Sequence, residues 1–159
     1  MLQITLQKLL LLPCIALLLW AAISDLTSLR IPNIASLGIA LLFPAQFLLH
    51  GDLKLILFSV LIGAAVFAAG AGLFAAGLLG GGDVKLLAAV ALWAGPQGIF
   101  PFLLVTVIAG AACALVMMTP VGSFVQAMNG GLARQKLVMP YGVAIAVGGL
   151  FILLKPLTA

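Results

Sequence analysis

The chain has 159 residues, of which 65% are hydrophobic and only 6% are charged, and its mean hydropathy is +1.40. Soluble domains contain about 45–50% apolar and about 25% charged residues, so this composition excludes a soluble globular protein. Seven Lys and Arg residues against three Asp residues give a net charge of +4. In so apolar a chain this excess predicts basic loops against a lipid bilayer and no nucleic-acid-binding surface.

The apolar runs predict an all-α fold, a polytopic membrane helix bundle of about six transmembrane helices in a single domain, residues 1–159. A helix needs roughly 20 apolar residues to cross a bilayer. The first run follows a lysine and resembles a cleaved secretory signal, but the remainder is equally apolar, so we expect a first transmembrane helix instead. The six predicted helices lie at about 5–24, 33–49, 54–79, 84–95, 98–118 and 138–155.

The longest connection between predicted spans, residues 119–138, is not uniformly polar. Its apolar residues Val121, Phe124, Val125 and Met128 follow helical spacing. The spacing predicts a short helix in the membrane interface or a frayed end of the fifth helix.

Basic residues give a weak prediction of orientation, because cytoplasmic loops carry an excess of Lys and Arg. With the first loop inside, four basic residues are cytoplasmic and three are outside, and both chain ends lie outside. The cytoplasmic set is Arg30, Lys85, Arg134 and Lys136, and the outer set is Lys8, Lys54 and Lys155. Charge alone leaves the opposite orientation open.

Three aspartates, Asp25, Asp52 and Asp83, are the only acidic side chains. Asp52 follows His50-Gly51 in a short polar turn, which predicts a solvated N-cap of the third helix. Neither the single histidine nor the two separated cysteines form a pattern that holds a metal, so we expect no metal site.

Asp25 and Asp83 each lie at the end of an apolar run, and counting spans places both at the same membrane face. Carboxylates at membrane depth are costly and usually mark function. Two of them at one face could activate water, one as an ionised base and the other as a protonated acid. Such a pair would titrate as a unit. The alternative is that each aspartate only caps a helix.

Three glycines, residues 80–82, directly precede Asp83. Glycine permits backbone conformations closed to other residues and would let an extended peptide approach the carboxylate. A phosphate-binding loop is not expected, because the Gly-Lys-Ser/Thr ending is missing and an acid occupies the anion position.

These residues resemble a known family. Gly80-x-Gly82-Asp83 resembles the GxGD motif of intramembrane aspartyl proteases, and residues 25–33, DLTSLRIPN, resemble the first-aspartate segment of the type IV prepilin peptidases. Residues 80–89, GGGDVKLLAA, are similar to the second-aspartate segment of that family, and residues 139–144, MPYGVA, to its closing motif. The small size and the Tyr-Gly pair look most like the short enzymes that process Flp-type pilins of tight-adherence systems.

The resemblance implies that Asp25 and Asp83 are the catalytic pair. They would activate a water that cleaves the leader peptide of a prepilin after a glycine, at the cytoplasmic face of the bacterial inner membrane. Larger relatives carry a cytoplasmic segment with paired CxxC motifs that bind zinc, and they also methylate the new N-terminus. That segment is absent from this sequence, so the resemblance implies neither methylation nor a cofactor.

Further candidates for the motif and the substrate cleft are Arg30, Pro32, Asn33, Gly80, Gly82, Lys85, Pro140, Tyr141 and Gly142. The two cations could screen the aspartates, bind an acidic residue of the substrate or reach lipid headgroups. Pro32 and Asn33 would most simply break the chain and cap the second helix. The Pro-Tyr-Gly segment could line the cleft or only start the last helix.

Two functions of other classes stay open. A small proton-coupled transporter also uses intramembrane aspartates, but it predicts acids near the middle of the bilayer. A noncatalytic pilus-assembly scaffold predicts that Asp25→Asn and Asp83→Asn leave function intact. For a peptidase, the substrate would enter laterally from the lipid, with the glycine-rich third and fourth helices as the gate.

Overall fold

A computed structural model of the chain describes residues 2–45, 52–119 and 140–158. These residues form five α-helices and no strand, which confirms the predicted all-α fold for the described part. The helices are α1 (Leu2–Ser28), α2 (Asn33–Leu42), α3 (Leu53–Ala75), α4 (Gly81–Met117) and α5 (Tyr141–Thr158). Several predictions concern residues outside the described ranges: the interfacial helix at 121–128, His50, Arg134 and Lys136.

Helix α4 contains a sharp reversal of the chain. Its 37 residues would be about 55 Å long if straight, nearly twice the roughly 30 Å of a bilayer core. The helical path breaks at Gly95, where φ is +58° and ψ is −169°, directly before Pro96. Glycine adopts this positive φ without the strain that a Cβ would impose, and proline cannot continue the hydrogen-bond ladder.

Contacts along α5 give the directions of the two halves of α4, residues 81–94 and 96–117. Gly82 and Gly142 both pack against Ile31, Val90 lies against Gly149, and Gly110 lies against Tyr141. The first half therefore runs in the same direction as α5 and the second half runs in the opposite direction. Two separately predicted helices, 84–95 and 98–118, correspond to these halves.

Among the described residues, three helices are long and apolar enough to cross a membrane: Leu9–Ser28, Leu53–Ala75 and Gly81–Met117. Two more apolar helices, Asn33–Leu42 and Tyr141–Lys155, are shorter. These lengths fit a membrane protein, but they do not confirm six spans. Within the described residues the second predicted helix, 33–49, ends at Leu42, and the fourth and fifth predicted helices are joined in α4.

The core lies between α1, α2, α4 and α5. Its largest fully buried side chains include Leu18, Ile39, Leu86, Phe102 and Ile145. The outward faces of α1, α3 and α4 carry many exposed leucine, isoleucine, valine and phenylalanine side chains. Apolar surface of this extent suits contact with lipid.

Trp93 ties the first half of α4 to the end of α2. The N–H of Phe43 bonds to the carbonyl of Ala40, which frees the carbonyl of Ile39 at the helix end. The indole Nε1 of Trp93 donates a hydrogen bond of 2.8 Å to that carbonyl, and its ring packs edge-on against Phe43. A helix-end carbonyl that would otherwise lack a partner is thereby satisfied.

Small residues let α3 approach α4 closely. A Cβ at Gly63 would lie 2.5 Å from Cδ2 of Leu92, and one at Gly70 would lie 3.0 Å from Cγ1 of Val84. Gly72, by contrast, has no neighbour within 4 Å of its Cβ position. Asp52 caps α3 as predicted, because its Oδ1 accepts hydrogen bonds from the N–H groups of Lys54 and Leu55, at 2.9 and 3.2 Å.

Candidate active site

A tight turn after α1 places Asp25 at the end of its helix. Leu29 has φ of +52°, and its N–H donates to the carbonyl of Asp25 at 3.0 Å. The hydroxyl of Ser24 donates to the carbonyl of Arg30 at 2.8 Å and holds the chain as it leaves the turn. The turn directs Ile31 back toward α4 and α5, where it contacts Gly82 and Gly142.

Asp25 is buried against the start of α5. Its side chain is 5% exposed, and its Oδ2 accepts the N–H of Gly142 at 2.7 Å. The N–H of Val143 also interacts with this carboxylate. Backbone N–H groups and the positive end of a helix dipole both favour a negative charge at this place. A Cβ at Gly142 would lie 2.8 Å from Oδ2 of Asp25, so the close approach requires glycine.

Asp83 lies in the first turn of α4 and is half-buried. Its Oδ2 accepts the N–H of Gly80 at 3.1 Å, which is the carboxylate half of a capping box. A Cβ at Gly80 would lie 2.6 Å from that oxygen. Its Oδ1 accepts no hydrogen bond from residues 2–45, 52–119 and 140–158 and is free to meet another group.

The fold brings Asp25 and Asp83 together. The negative charge of Asp25 acts on Asp83 through space. Ile31 packs beneath both helix starts, since it contacts Gly82 before one aspartate and Gly142 beside the other. The charges of these two carboxylates, each at a helix N-terminus, therefore affect one another. Helix capping, the alternative interpretation, accounts for the hydrogen bond of each carboxylate to a helix start.

The structure corrects the expected role of Asn33. Pro32 occupies the N-cap position of α2 with an extended conformation, and no side chain caps this helix. The side-chain oxygen of Asn33 instead accepts a hydrogen bond of 2.9 Å from Nζ of Lys85. This bond joins the start of α2 to the second turn of α4. Lys85 is thus held beside the aspartates' end of the bundle.

The other predicted cleft residues are distributed unevenly. Arg30 is exposed, and its guanidinium makes no hydrogen bond or ion pair within the described part of the chain. Pro140 is buried directly before α5, and its carbonyl accepts the N–H of Val143 at 3.3 Å. Tyr141 is 38% exposed and packs beside Gly110.

Sequence reasoning did not single out Ile31 or Cys113. Ile31 lies inside the quoted segment 25–33, but only the fold shows that its side chain joins the two helix starts. Cys113, on the second half of α4, lies close enough for the charge of Asp25 to act on its thiol. The reversal at Gly95 brings it there, and no local pattern around Cys113 could have indicated this proximity.

A sequence model of the type IV leader peptidase family matches residues 12–115, nearly two thirds of the chain. The protein belongs to the type IV leader peptidase family. Searches of curated proteins and of solved structures returned no match. The matched region contains Asp25 and Asp83 but not the start of α5, whose Gly142 contacts Asp25. Membership in this peptidase family supports a protease that acts on a protein substrate, which in the type IV case is a prepilin.

Proposed function

We propose that the protein is an aspartic-type endopeptidase that removes the leader peptide from prepilins of the Flp type. Asp25 and Asp83 would activate the water, as the resemblance in their sequence segments implies. The observation that carries the proposal is a buried carboxylate, Asp25, within charge-interaction range of a second one, in a chain of this peptidase family.

The surroundings of the two carboxylates suggest their roles. Asp25 accepts backbone N–H groups from both Gly142 and Val143, whereas Asp83 accepts one from Gly80, so we assign Asp25 as the base. Asp83 has a free Oδ1 and would enter the reaction protonated. Asp25 takes a proton from water while the water oxygen attacks the scissile carbonyl carbon, and Asp83 donates its proton to the carbonyl oxygen.

Collapse of this intermediate completes the reaction. The carbon–nitrogen bond breaks, and the leaving amine takes the proton that Asp25 accepted. A hydroxyl of the intermediate returns its proton to Asp83 as the new carboxyl group forms. Both aspartates thus regain their starting protonation, so the pair needs no further reactant.

The proposal includes six membrane segments with the aspartates at the cytoplasmic face of the bacterial inner membrane. The chain reversal at Gly95 supports the count, since the two halves of α4 would cross as separate segments. Lys85 and Arg30 near the aspartates support the orientation through the excess of basic residues in cytoplasmic loops.

A cleavage assay tests the proposal. The purified protein in detergent is mixed with Flp-type pilin precursors, and the products are identified by mass. Asp25→Asn and Asp83→Asn should each lower the rate at least about 100-fold, the scale of general acid–base catalysis. Asp52→Asn, the matched control in a solvated turn, should cleave normally. Cleavage that persists in both Asp25→Asn and Asp83→Asn would rule out the two-aspartate mechanism. No cleavage by the unmodified protein would favour a transporter or a scaffold.

A further inference from the structure

A lateral groove opens between α2, α3 and the first half of α4. Its volume is about 570 Å³. The groove follows residues 33–40, 60–67 and 85–92 of the three helices, a rise of about 10 Å on each, or two helical turns. Its walls are the side chains of Leu37, Val60, Phe67 and Leu92, and small residues lie between them: Ala40, Gly63, Ala64, Ala88 and Ala89.

One end of this groove is polar. Lys85 and Asn33 line it there, joined by their 2.9 Å hydrogen bond. Ser36 lines the same end, is 4% exposed, and its hydroxyl has no hydrogen-bond partner within the described residues. A buried hydroxyl without a partner is costly, and a hydrogen bond to a bound group would remove that cost. Lys85 also has two N–H donors beyond the one given to Asn33.

We propose that this groove seats the apolar helix of the protein substrate, with Lys85 and Ser36 donating to peptide carbonyls where that helix gives way to the extended segment to be cut. The inference rests on the proposed peptidase function. Small residues between larger walls are the surface on which an apolar helix packs closely in a membrane. A peptide must leave helical geometry to be hydrolysed, and its carbonyls then lose their hydrogen bonds within the helix. Lys85 and Ser36 can replace those bonds.

The groove leads toward the aspartates. Lys85 lies two residues after Asp83 on α4, so the polar end of the groove and the carboxylates are at the same level. Asp83 is in the first turn of α4, so a segment that leaves the polar end of the groove toward the carboxylates passes the start of this helix. Gly80, directly before that start, is exposed and presents only backbone. A seated helix would therefore deliver its flanking extended segment to the catalytic pair and not to the opposite end of the bundle.

The experiment fills the groove and compares two neighbouring alanines. Ala64 and Ala65 are both exposed on α3, but only Ala64 lines the groove. The probe is a synthetic precursor with a basic leader, a glycine at the cut and a 20-residue apolar segment. Ala64→Trp should raise KM for this peptide about tenfold with little change in kcat, while Ala65→Trp should match the unmodified protein. Both variants should unfold at the same temperature in detergent, which excludes misfolding.

A shortened peptide and a crosslink provide independent checks. A shortened precursor that ends four residues after the cut lacks the apolar segment. The unmodified protein should cleave it with a KM raised about as much as that of Ala64→Trp for the long precursor. A photoreactive phenylalanine at position 64 of the Asp83→Asn protein should crosslink to the long precursor, whereas one at position 65 should not. Equal KM values for the two tryptophan variants, or crosslinks at position 64 only to lipid, would overturn the proposal that the groove seats the substrate helix. Normal cleavage in the same experiments would leave the proposed peptidase function intact. No cleavage by the unmodified protein would instead overturn the proposed function.

Discussion

Asp25 and Asp83 interact, yet different parts of the chain hold them. Asp83 bonds to the N–H of Gly80, three residues away in the same helix start. Asp25 bonds to the N–H of Gly142, 117 residues away at the start of another helix. Asp25 is 5% exposed and Asp83 is half-buried. The first carboxylate thus depends on the packing of the bundle, and the second depends mainly on its own local turn.

Replacing each aspartate by glutamate, which adds one methylene, should give the largest difference in cleavage rate between the two environments. Asp25→Glu has no free space, because Gly142 lies against the carboxylate, so we expect a loss of cleavage rate of about 100-fold, typical of a 1 Å misplacement. Asp83 is half-buried and, within the described residues, its carboxylate bonds only to the nearby N–H of Gly80, so for Asp83→Glu we expect a smaller loss of about tenfold. Single-turnover cleavage rates measure both. Equal losses would mean that the surroundings of the two aspartates do not differ in the working enzyme.

A methyl group at each glycine donor tests the same contrast from the backbone side. Gly142→Ala places a Cβ 2.8 Å from Oδ2 of Asp25 and 2.9 Å from Cδ1 of Ile31, so packed groups must move. Gly80→Ala meets only the side chain of Asp83, at 2.6 Å. We expect Gly142→Ala to lower the cleavage rate more than tenfold and Gly80→Ala to lower it several-fold.

The control for these glycine variants is Gly72→Ala in α3, where the described residues place no atom outside the helix's own backbone within 4 Å of the new Cβ. It should cleave at the normal rate. Its free energy of unfolding should rise by up to about 1 kcal/mol, since alanine is the better helix former. A larger loss of activity for Gly80→Ala than for Gly142→Ala would reverse the comparison.

The contrast between the aspartates also shows how far the sequence predicts this protein. The cap formed by Asp52 and the glycine-rich start of α4 depend on residues within three positions of one another, and both are readable from the sequence. The bond from Lys85 to Asn33 joins residues 52 apart, and helical periodicity carries no information about such pairs. Local sequence therefore predicts that Asn33 caps α2, whereas its side-chain oxygen accepts a hydrogen bond from Lys85 on another helix.

Span prediction has a similar physical limit. Hydropathy identifies apolar runs, and Gly95-Pro96 marks a break between two of them, but neither signal gives the directions of the flanking helices. Those directions follow from the contacts of residues 81–94 and 96–117 with α5. They also bring Cys113 near Asp25, a proximity that depends on the reversal and has no sequence signature.

Substituting Asp52 should have the smallest effect on cleavage of the three aspartates, and it tests whether the aspartates are interchangeable. Its carboxylate caps α3 through two local hydrogen bonds and is exposed, unlike Asp25. Asp52→Ala should lower the free energy of unfolding by about 1 kcal/mol, the usual cost of losing an N-cap, without changing kcat below the unfolding transition. Thermal unfolding in detergent and initial cleavage rates measure the two quantities separately. A loss of kcat in the folded variant would mean that a third carboxylate takes part in the reaction, and the comparison of two aspartates would then be incomplete.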